Sequence, residues 1–359
     1  MNTYGVKYIG SKAALVDTIY NFVHERLPPE TPRSIIDVFT GTTRVAQAFR
    51  SKGWHVTTSD LSWAAEAYSA AFIQRTSAET AARIPSLITQ LSALPGAAGW
   101  ITTNYCDVVS ATGGVVKMWK PVNGQKADAI REQIAAWEAA GTCTHQEAMI
   151  LVAVLIFAMD KVDSSVGVQQ AYLKTWAARA SNPLTLVDLP FYDGPPGKHI
   201  VGNALTIDYP EASIAYIDPP YSAHSYATYY HIWDSVTRWD KPAVGLKTNR
   251  RIDRVSSSPE LDESMSSTWN SKRLALGSFM LLIRRLPVKY VVISYNDESL
   301  VTLTELEASL RHVYQEVVVK KIPYKRNIMA QIGNAAEAIA EGAVAKTENN
   351  EVLIWVKKP

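Results

Sequence analysis

Between Ser34 and Asp60 the chain spells out a strand, a turn, a helix and a second strand, and this constrains the fold more than any other stretch. Ser34 to Phe39 is a short apolar, β-prone run followed by Thr40-Gly41-Thr42. Arg44 to Lys52 is helical and stops at Gly53, and Trp54 to Thr58 is a second β-prone run that ends at Ser59-Asp60. That is the length and order of a βαβ unit, which belongs to α/β proteins built on parallel strands. Helices flank it. Ser11 to Arg26 carries Leu15, Ile19, Phe22 and Val23 at helical spacing and is ended by Pro28-Pro29, and Trp63 to Arg75 is helical again.

From about Ala78 to Asp193 the character changes to mostly helical: Thr80 to Leu94, Ala127 to Ala140, His145 to Val162 and Gln169 to Ala178. Pro85 is expected to kink or restart the first of these helices, and the Gly-rich, basic segment Gly113 to Lys126 interrupts them. Strand patterns resume at Ile200 to Asn203 and Ile214 to Asp218. A polar, basic, Ser-rich loop then runs from about Asp240 to Asn270. A helix (Lys272 to Leu286), a strand (Tyr290 to Tyr295), a helix (Thr302 to Val313) and two strands (Gln315 to Lys321, Glu351 to Lys357) follow. The predicted architecture is a doubly wound α/β domain formed by residues 1–77 and 194–359, with a helical insertion at 78–193.

Composition narrows the class. The 359 residues carry a net charge of +2, so a nucleic-acid surface has to be a local patch. Two cysteines, Cys106 and Cys143, supply neither a disulfide framework nor a four-cysteine zinc site, and the histidines lack metal-ligand spacing. The first residues have no apolar signal core. The longest apolar run, Ala148 to Met159, is too short to span a bilayer. A reducing, cytoplasmic setting is the expectation.

The chemistry concentrates at Asp218-Pro219-Pro220-Tyr221. Ile214 to Ile217 is a buried-type strand, and two consecutive prolines forbid both helix and ladder pairing after it. A carboxylate, a rigid corner and an aromatic ring are therefore presented at a strand's carboxyl end, where open α/β sheets place their sites. Asp218 and the Pro219 carbonyl suit the two hydrogens of an exocyclic amino group, leaving its lone pair to attack a methyl donor, and Tyr221 suits stacking on an extruded base. The bland alternative is a surface turn.

The turn Asp37-Val38-Phe39-Thr40-Gly41-Thr42 offers small residues for a close backbone approach, yet it is neither a G-x-G-x-x-G fingerprint nor a P-loop. Asp60, about twenty residues on, stands where a carboxylate takes ribose hydroxyls. Capping the helix near Trp63 is its other reading. Lys12, behind Tyr8-Ile9-Gly10-Ser11, can meet a carboxylate or simply be solvated.

Taken in order, Tyr8-x-Gly10-Ser11-Lys12, Phe39-Thr40-Gly41, Asp60-Leu61 and Asp218-Pro219-Pro220-Tyr221 resemble the adenine-specific DNA methyltransferases of the alpha group. The likeness is in particular to the branch resembling the FokI modification methylase. Val122 to Lys126, Asp160 to Val162, Tyr226 to His231 and Ser294 to Asn296 extend it over nearly the whole chain. The resemblance implies a Rossmann-like, S-adenosylmethionine-dependent methyltransferase domain. By it, Tyr8 and Lys12 contact the cofactor's methionine part, Phe39, Thr40 and Gly41 line its backbone-facing side, Asp60 takes the ribose, and Asn203 is assigned to the adenine. Asp218, Pro219, Pro220 and Tyr221 then form the target-base pocket. Thr43 stands where a second glycine is usual, and Ser222 and His224 stand where asparagine and arginine are usual.

The expected reaction is direct methyl transfer to the 6-amino group of adenine in duplex DNA after base flipping. Its partners are double-stranded DNA and a cognate restriction nuclease. Lys247, Arg250, Arg251 and Arg254, joined by Lys320, Lys321, Lys325 and Arg326, are expected on phosphates, with a solvated face as the alternative. The insertion, with Lys117, Trp119 and Lys120, is the candidate for target recognition, although Trp119 also suits a core. Cytosine amino methylation, or a DNA-binding protein that has lost catalysis through Thr43, are the competing readings.

Overall fold

The computed structural model describes residues 1–359 except 76–77, 110–112, 170–172, 174, 193, 221–224, 246, 266, 297–298 and 326–347. The chain divides into two compact units, Met1–Ile207 with Ser225–Ser266, and Asp208–His224 with Ser267–Pro359. In chain order the first unit contains α1 (Val16–His24), β1 (Ser34–Asp37), α2 (Arg44–Arg50), β2 (His55–Asp60) and α3 (Ala64–Ser69), which runs on into a π-helical turn at Ala70–Gln74. It continues with α4 (Ala78–Ala93), α5 (Trp100–Tyr105), β3 (Cys106–Val109), β4 (Val115–Lys117), α6 (Pro121–Ala139), α7 (His145–Lys161) and β5 (Lys198–Val201). The second unit opens with β6 (Ala212–Ile217). The first resumes with α8 (Tyr226–Tyr229) and α9 (His231–Arg238). The second closes with α10 (Lys272–Arg285), β7 (Val288–Asn296), α11 (Leu303–Val313), β8 (Glu316–Lys325) and β9 (Glu348–Lys357).

Strand pairing follows from the apolar runs. In the first unit β1 pairs parallel with β2, Ser34 opposite His55, and β2 pairs parallel with β5, Asp60 opposite Val201. In the second, β6 pairs parallel with β7, while β9 runs antiparallel to both β7 and β8. Ile214 to Ile217 and Tyr290 to Tyr295 are buried without alternation, the pattern of strands covered on both faces. Pro323 lies in β8, whose described pairing is with β9 alone, so its missing N–H breaks no second ladder. This is the α/β, Rossmann-like class that the sequence predicts. No helix among the described residues is long and apolar enough to cross a membrane.

The stretch 78–193 is not a separate body. It lies in the first unit, and α7, with Ala148 to Ile156 buried all round, packs on α3, on the π-helical turn and on α9. The capping box of Thr144 and Glu147 starts α7. Pro85 sits inside α4, which continues through it, and the segment Gly113 to Lys126 interrupts the helices with β4 before α6 starts at Pro121, earlier than the expected Ala127. One expectation here needs correction. The helix expected over Gln169–Ala178 is absent among the described residues there. The Leu173 amide donates to the Ser164 carbonyl and the Ala177 amide to Ser164 Oγ, so those donors are spent on Ser164 and not on a helical ladder.

Candidate functional site

The turn after β1 and the turn after β2 are tied together by one carboxylate. Asp60 Oδ2 accepts from the Gly41 amide at 2.8 Å and Oδ1 from the Ser62 amide at 2.9 Å. Asp37 shapes the first turn from below, its Oδ2 accepting from Thr40 Oγ1 at 2.9 Å and from the Ala46 amide at 3.1 Å. Gly41 has a φ of +49°, and a Cβ there would stand 3.3 Å from Tyr8 Cε1, so a side chain at this position would strain the backbone and press on the Tyr8 ring. Thr43, at the position where glycine is usual in the resembling family, has a φ of 62°. It holds that left-handed conformation with its side chain buried and Oγ1 accepting from Gln47 Nε2 at 2.9 Å.

Asp60 is half-buried, and its carboxyl is pushed up to about 6. Burial is the main cause, the charge of Asp234 adds to it, and the amides of Ser62, Gly41 and Leu61 oppose it. The helix-cap reading of Asp60 does not hold. The Ala64 amide in the first turn of α3 donates to Asp234 Oδ1 instead, at 3.1 Å.

Tyr8 is placed by aromatic neighbours that the sequence offered only through resemblance. Its ring stacks on Tyr230 with centroids 4.3 Å apart and leans on Tyr226 at 5.5 Å. Tyr230 Oη accepts from the Ile9 amide at 2.7 Å, and Tyr226 Oη donates to the Ile9 carbonyl at 3.3 Å. Burial raises the Tyr8 phenol, and nearby Asp60 adds to the rise. Lys12 is 5% exposed, Thr40 is buried and Phe39 half-buried. Asn203 follows β5, and its Oδ1 accepts from the Leu205 amide at 3.0 Å, so that carbonyl already shapes a turn. Tyr8, Gly41 and Asp60 thus stand together in the first unit.

In the second unit β6 ends at Ile217, and Asp218, Pro219 and Pro220 leave the ladder directly after it. Pro219 is buried, while Asp218 and Pro220 are half-buried. Tyr221, Ser222 and His224 lie outside the described residues.

The basic loop separates into two kinds of cation. Lys247 is exposed and Arg250 half-buried. Arg251 and Arg254, expected on phosphates, are 2% and 5% exposed, which corrects that expectation. The guanidinium of Arg251 spans Asp240 and Asp253 with bonds of 2.8 to 3.0 Å and also donates to Ser235 Oγ at 3.1 Å. Arg254 pairs with Asp253 at 3.3 Å and lies over the Trp63 ring. Carboxylates within the fold hold the Arg251 guanidinium on both sides, whereas Arg254 meets Asp253 and, at 3.7 Å, Asp262 through Nη1 alone, its Nε and Nη2 buried without a hydrogen-bond partner among the described residues. Lys320, Lys321 and Lys325 lie in β8, and Arg326 is outside the described residues. Trp119 is core, donating Nε1–H to the Met159 carbonyl at 3.0 Å, and Lys120 donates to Ser181 Oγ at 3.0 Å.

Sequence reasoning missed Asp234 and Trp63, which frame the Asp60 turn. Their only signal was an acid in the stretch following Tyr226–His231.

An α/β fold with a glycine turn after its first strand, an acid closing its second and Asp-Pro-Pro at the end of another parallel strand has the layout of a nucleotide-cofactor enzyme. Residues 8–305 match the family described as D12 class N6 adenine-specific DNA methyltransferase. The chain belongs to that family. It is 27% identical over 330 residues to the modification methylase StsI of Streptococcus sanguinis, a match covering 89% of this chain and 48% of that protein. It is 28% identical over 308 residues to the type II methyltransferase M.NlaIII of Neisseria lactamica, covering 84% of this chain and 86% of that protein. The type II methyltransferase M.FokI of Planomicrobium okeanokoites is 26% identical over 335 residues, 89% of this chain and 49% of the relative. The chain therefore spans about half the length of two of these relatives and most of the third.

Proposed function

We propose that this chain moves a methyl group from S-adenosylmethionine to the 6-amino group of adenine in duplex DNA, at a short defined site. The observation that carries the reading is Asp218-Pro219-Pro220 at the carboxyl end of parallel strand β6, in a member of the D12 class. The names of the similar proteins, modification methylases and type II methyltransferases, support the same chemistry.

The residues present fit the cofactor. Gly41 leaves open, beside Tyr8, a space that a Cβ would fill, and Asp60 beside it is a carboxylate oriented by two amides. Tyr8 and Lys12 would hold the methionine part, Phe39, Thr40 and Gly41 the backbone-facing side, Asp60 the ribose hydroxyls and Asn203 the adenine. When bound, S-adenosylmethionine supplies an electrophilic methyl group on a sulfonium.

The protein's own contribution is alignment. Asp218 and the Pro219 carbonyl accept the two hydrogens of the adenine amino group. This directs its lone pair outward and favours the positive charge that grows on nitrogen. The rigid diproline keeps both acceptors in place. Tyr221 stacks on the flipped base. Lys247 and Arg250 approach phosphates, and 78–193 is proposed as the target-recognition region. A cognate restriction nuclease is the proposed partner, and the reducing cytoplasm, where the buried free thiols Cys106 and Cys143 persist, is the proposed location.

Mass spectrometry of nucleosides from DNA incubated with the protein and S-adenosylmethionine tests the reading. N6-methyladenine is expected. Methylated cytosine would reassign the base while keeping amino methylation, and unmodified DNA with intact cofactor binding would indicate a DNA-binding protein without catalysis. Asp218→Ala is expected to abolish transfer and to leave cofactor affinity within about twofold, since the contact it removes serves the base.

A further inference from the structure

The turn that carries Asp60 is held from a distant helix. Asp234, in α9, is 1% exposed, and its Oδ1 accepts from Ser62 Oγ at 2.7 Å and from the Ala64 amide at 3.1 Å. Helix α3 has no capping side chain of its own, so an acid 170 residues away in sequence satisfies its first turn. A carboxylate this deep is costly unless its acceptors are used and its charge is balanced. Both donors, Ser62 and Ala64, go to Oδ1, and Oδ2 is buried with no hydrogen-bond partner among the described residues; burial raises the Asp234 carboxyl, and Ser62, Ala64, Arg254 and Arg251 oppose that rise. Trp63, between those two donors, is covered by three guanidiniums, with Arg238, Arg254 and Arg251 at 3.8, 5.3 and 5.4 Å from its centroid. Residues 60 to 64 are thus fixed at both faces. Gly41 and Ser62 amides orient the Asp60 carboxylate, and Asp234 orients Ser62.

We propose that Asp234 is a positioning residue of the cofactor site, locking the turn after β2 so that Asp60 presents its carboxylate to the ribose in one orientation. The inference rests on the reading of Asp60 as a cofactor acceptor. Asp234 itself touches neither cofactor nor base. Without its acceptor, Ser62 and Ala64 lose a common anchor, Asp60 samples several orientations, and binding weakens while the transfer step on a bound cofactor is unaffected.

Calorimetry with S-adenosylmethionine alone, and turnover on unmodified genomic DNA, are compared for the full chain and for Asp234→Ala, Asp234→Asn and Ser62→Ala. Asp234→Ala is expected to raise the Kd and KM for the cofactor about tenfold, the range for losing hydrogen bonds to a charged acceptor, with kcat within about twofold. Asp234→Asn keeps an oxygen for both donors and is expected to restore most of the affinity, which a role in charge alone would not predict, and a role in packing alone would leave Ser62→Ala without effect. Ser62→Ala removes one of the two bonds and should fall between, and it carries the same prediction if Asp234→Ala does not fold. Unchanged affinity in Asp234→Ala or Ser62→Ala, a loss confined to kcat, or an Asn variant as weak as the Ala variant overturns the assignment of Asp234 alone. A wild-type chain that binds no S-adenosylmethionine overturns the cofactor reading, and this assignment with it.

Discussion

The Asp60 carboxyl, raised from 3.8 to about 6 chiefly by burial, binds a proton more tightly in the folded chain than in the unfolded one. The sign follows from linkage: its contribution to stability is present below about pH 4 and is lost as pH rises through about 6. Partial exposure keeps that contribution small. If Asp60 takes the ribose as proposed, cofactor binding is expected to run the other way, because hydroxyls donate best to the ionised form. Affinity for S-adenosylmethionine is therefore expected to be level above about pH 7 and to fall as pH drops through about 6, with Asp60→Asn weak and flat across that range. Calorimetry from about pH 5 to about pH 8 checks it. Gly41 makes a second prediction. Gly41→Ala places a Cβ against Tyr8 at a φ of +49°, and should cost about 1–2 kcal/mol in thermal or urea unfolding while also weakening cofactor binding. Unchanged stability would mean that the turn can relax to a negative φ.

The element that most departs from expectation is the basic loop after α9. A run containing Lys247, Arg250, Arg251 and Arg254 suggests a charged face by composition, yet half of it is internal bracing. Arg251→Ala would leave Asp240 and Asp253 without their shared guanidinium and is expected to destabilise the chain by about 2–3 kcal/mol, less than a fully dry pair because both acids retain some exposure. Chemical denaturation measures it, and a change below about 0.5 kcal/mol would show the cluster to be dispensable. Helix α9 is hard to read in the sequence for a related reason. Ile232, Trp233 and Val236 fall at helical spacing over only two turns, but His231, Asp234, Ser235 and Thr237 on the polar side are buried as well, which their residue types do not announce. Their partners, among them Ser62 and Arg251, come from elsewhere in the chain. Helix α11 is legible because Thr302 and Glu305 form its capping box locally.

At the scale of the molecule, a net charge of +2 leaves DNA affinity to a few placed cations. Each true phosphate contact contributes about 0.9 to the slope of log affinity against log salt. Neutralising Lys247 and Arg250 together is expected to flatten that slope by up to about 1.8. Arg254→Met, at a charge already covered by Asp253 and Trp63, is expected to leave the slope unchanged in protein that remains folded. Filter binding or fluorescence anisotropy over a salt series checks both. A slope that responds to Arg254 and not to Lys247 and Arg250 would reverse the division of roles.

Local pattern is enough for the parallel strands, for the acid that closes β2, and for Asp218-Pro219-Pro220 at the end of β6. Strand propensity, glycine turns and proline breaks act between residues a few positions apart, and they are written in order along the chain. The site's electrostatics are not legible in that way. That Asp60 binds two turns, that Tyr8 lies on Tyr230, that Asp234 caps α3 and that Arg251 and Arg254 are buried all depend on side chains brought together from distant parts of the chain. Whether a charge faces water or a partner is set by the packing of elements. Local periodicity carries no information about that choice, because an arginine bound for a phosphate and one bound for an internal aspartate have the same neighbours in sequence.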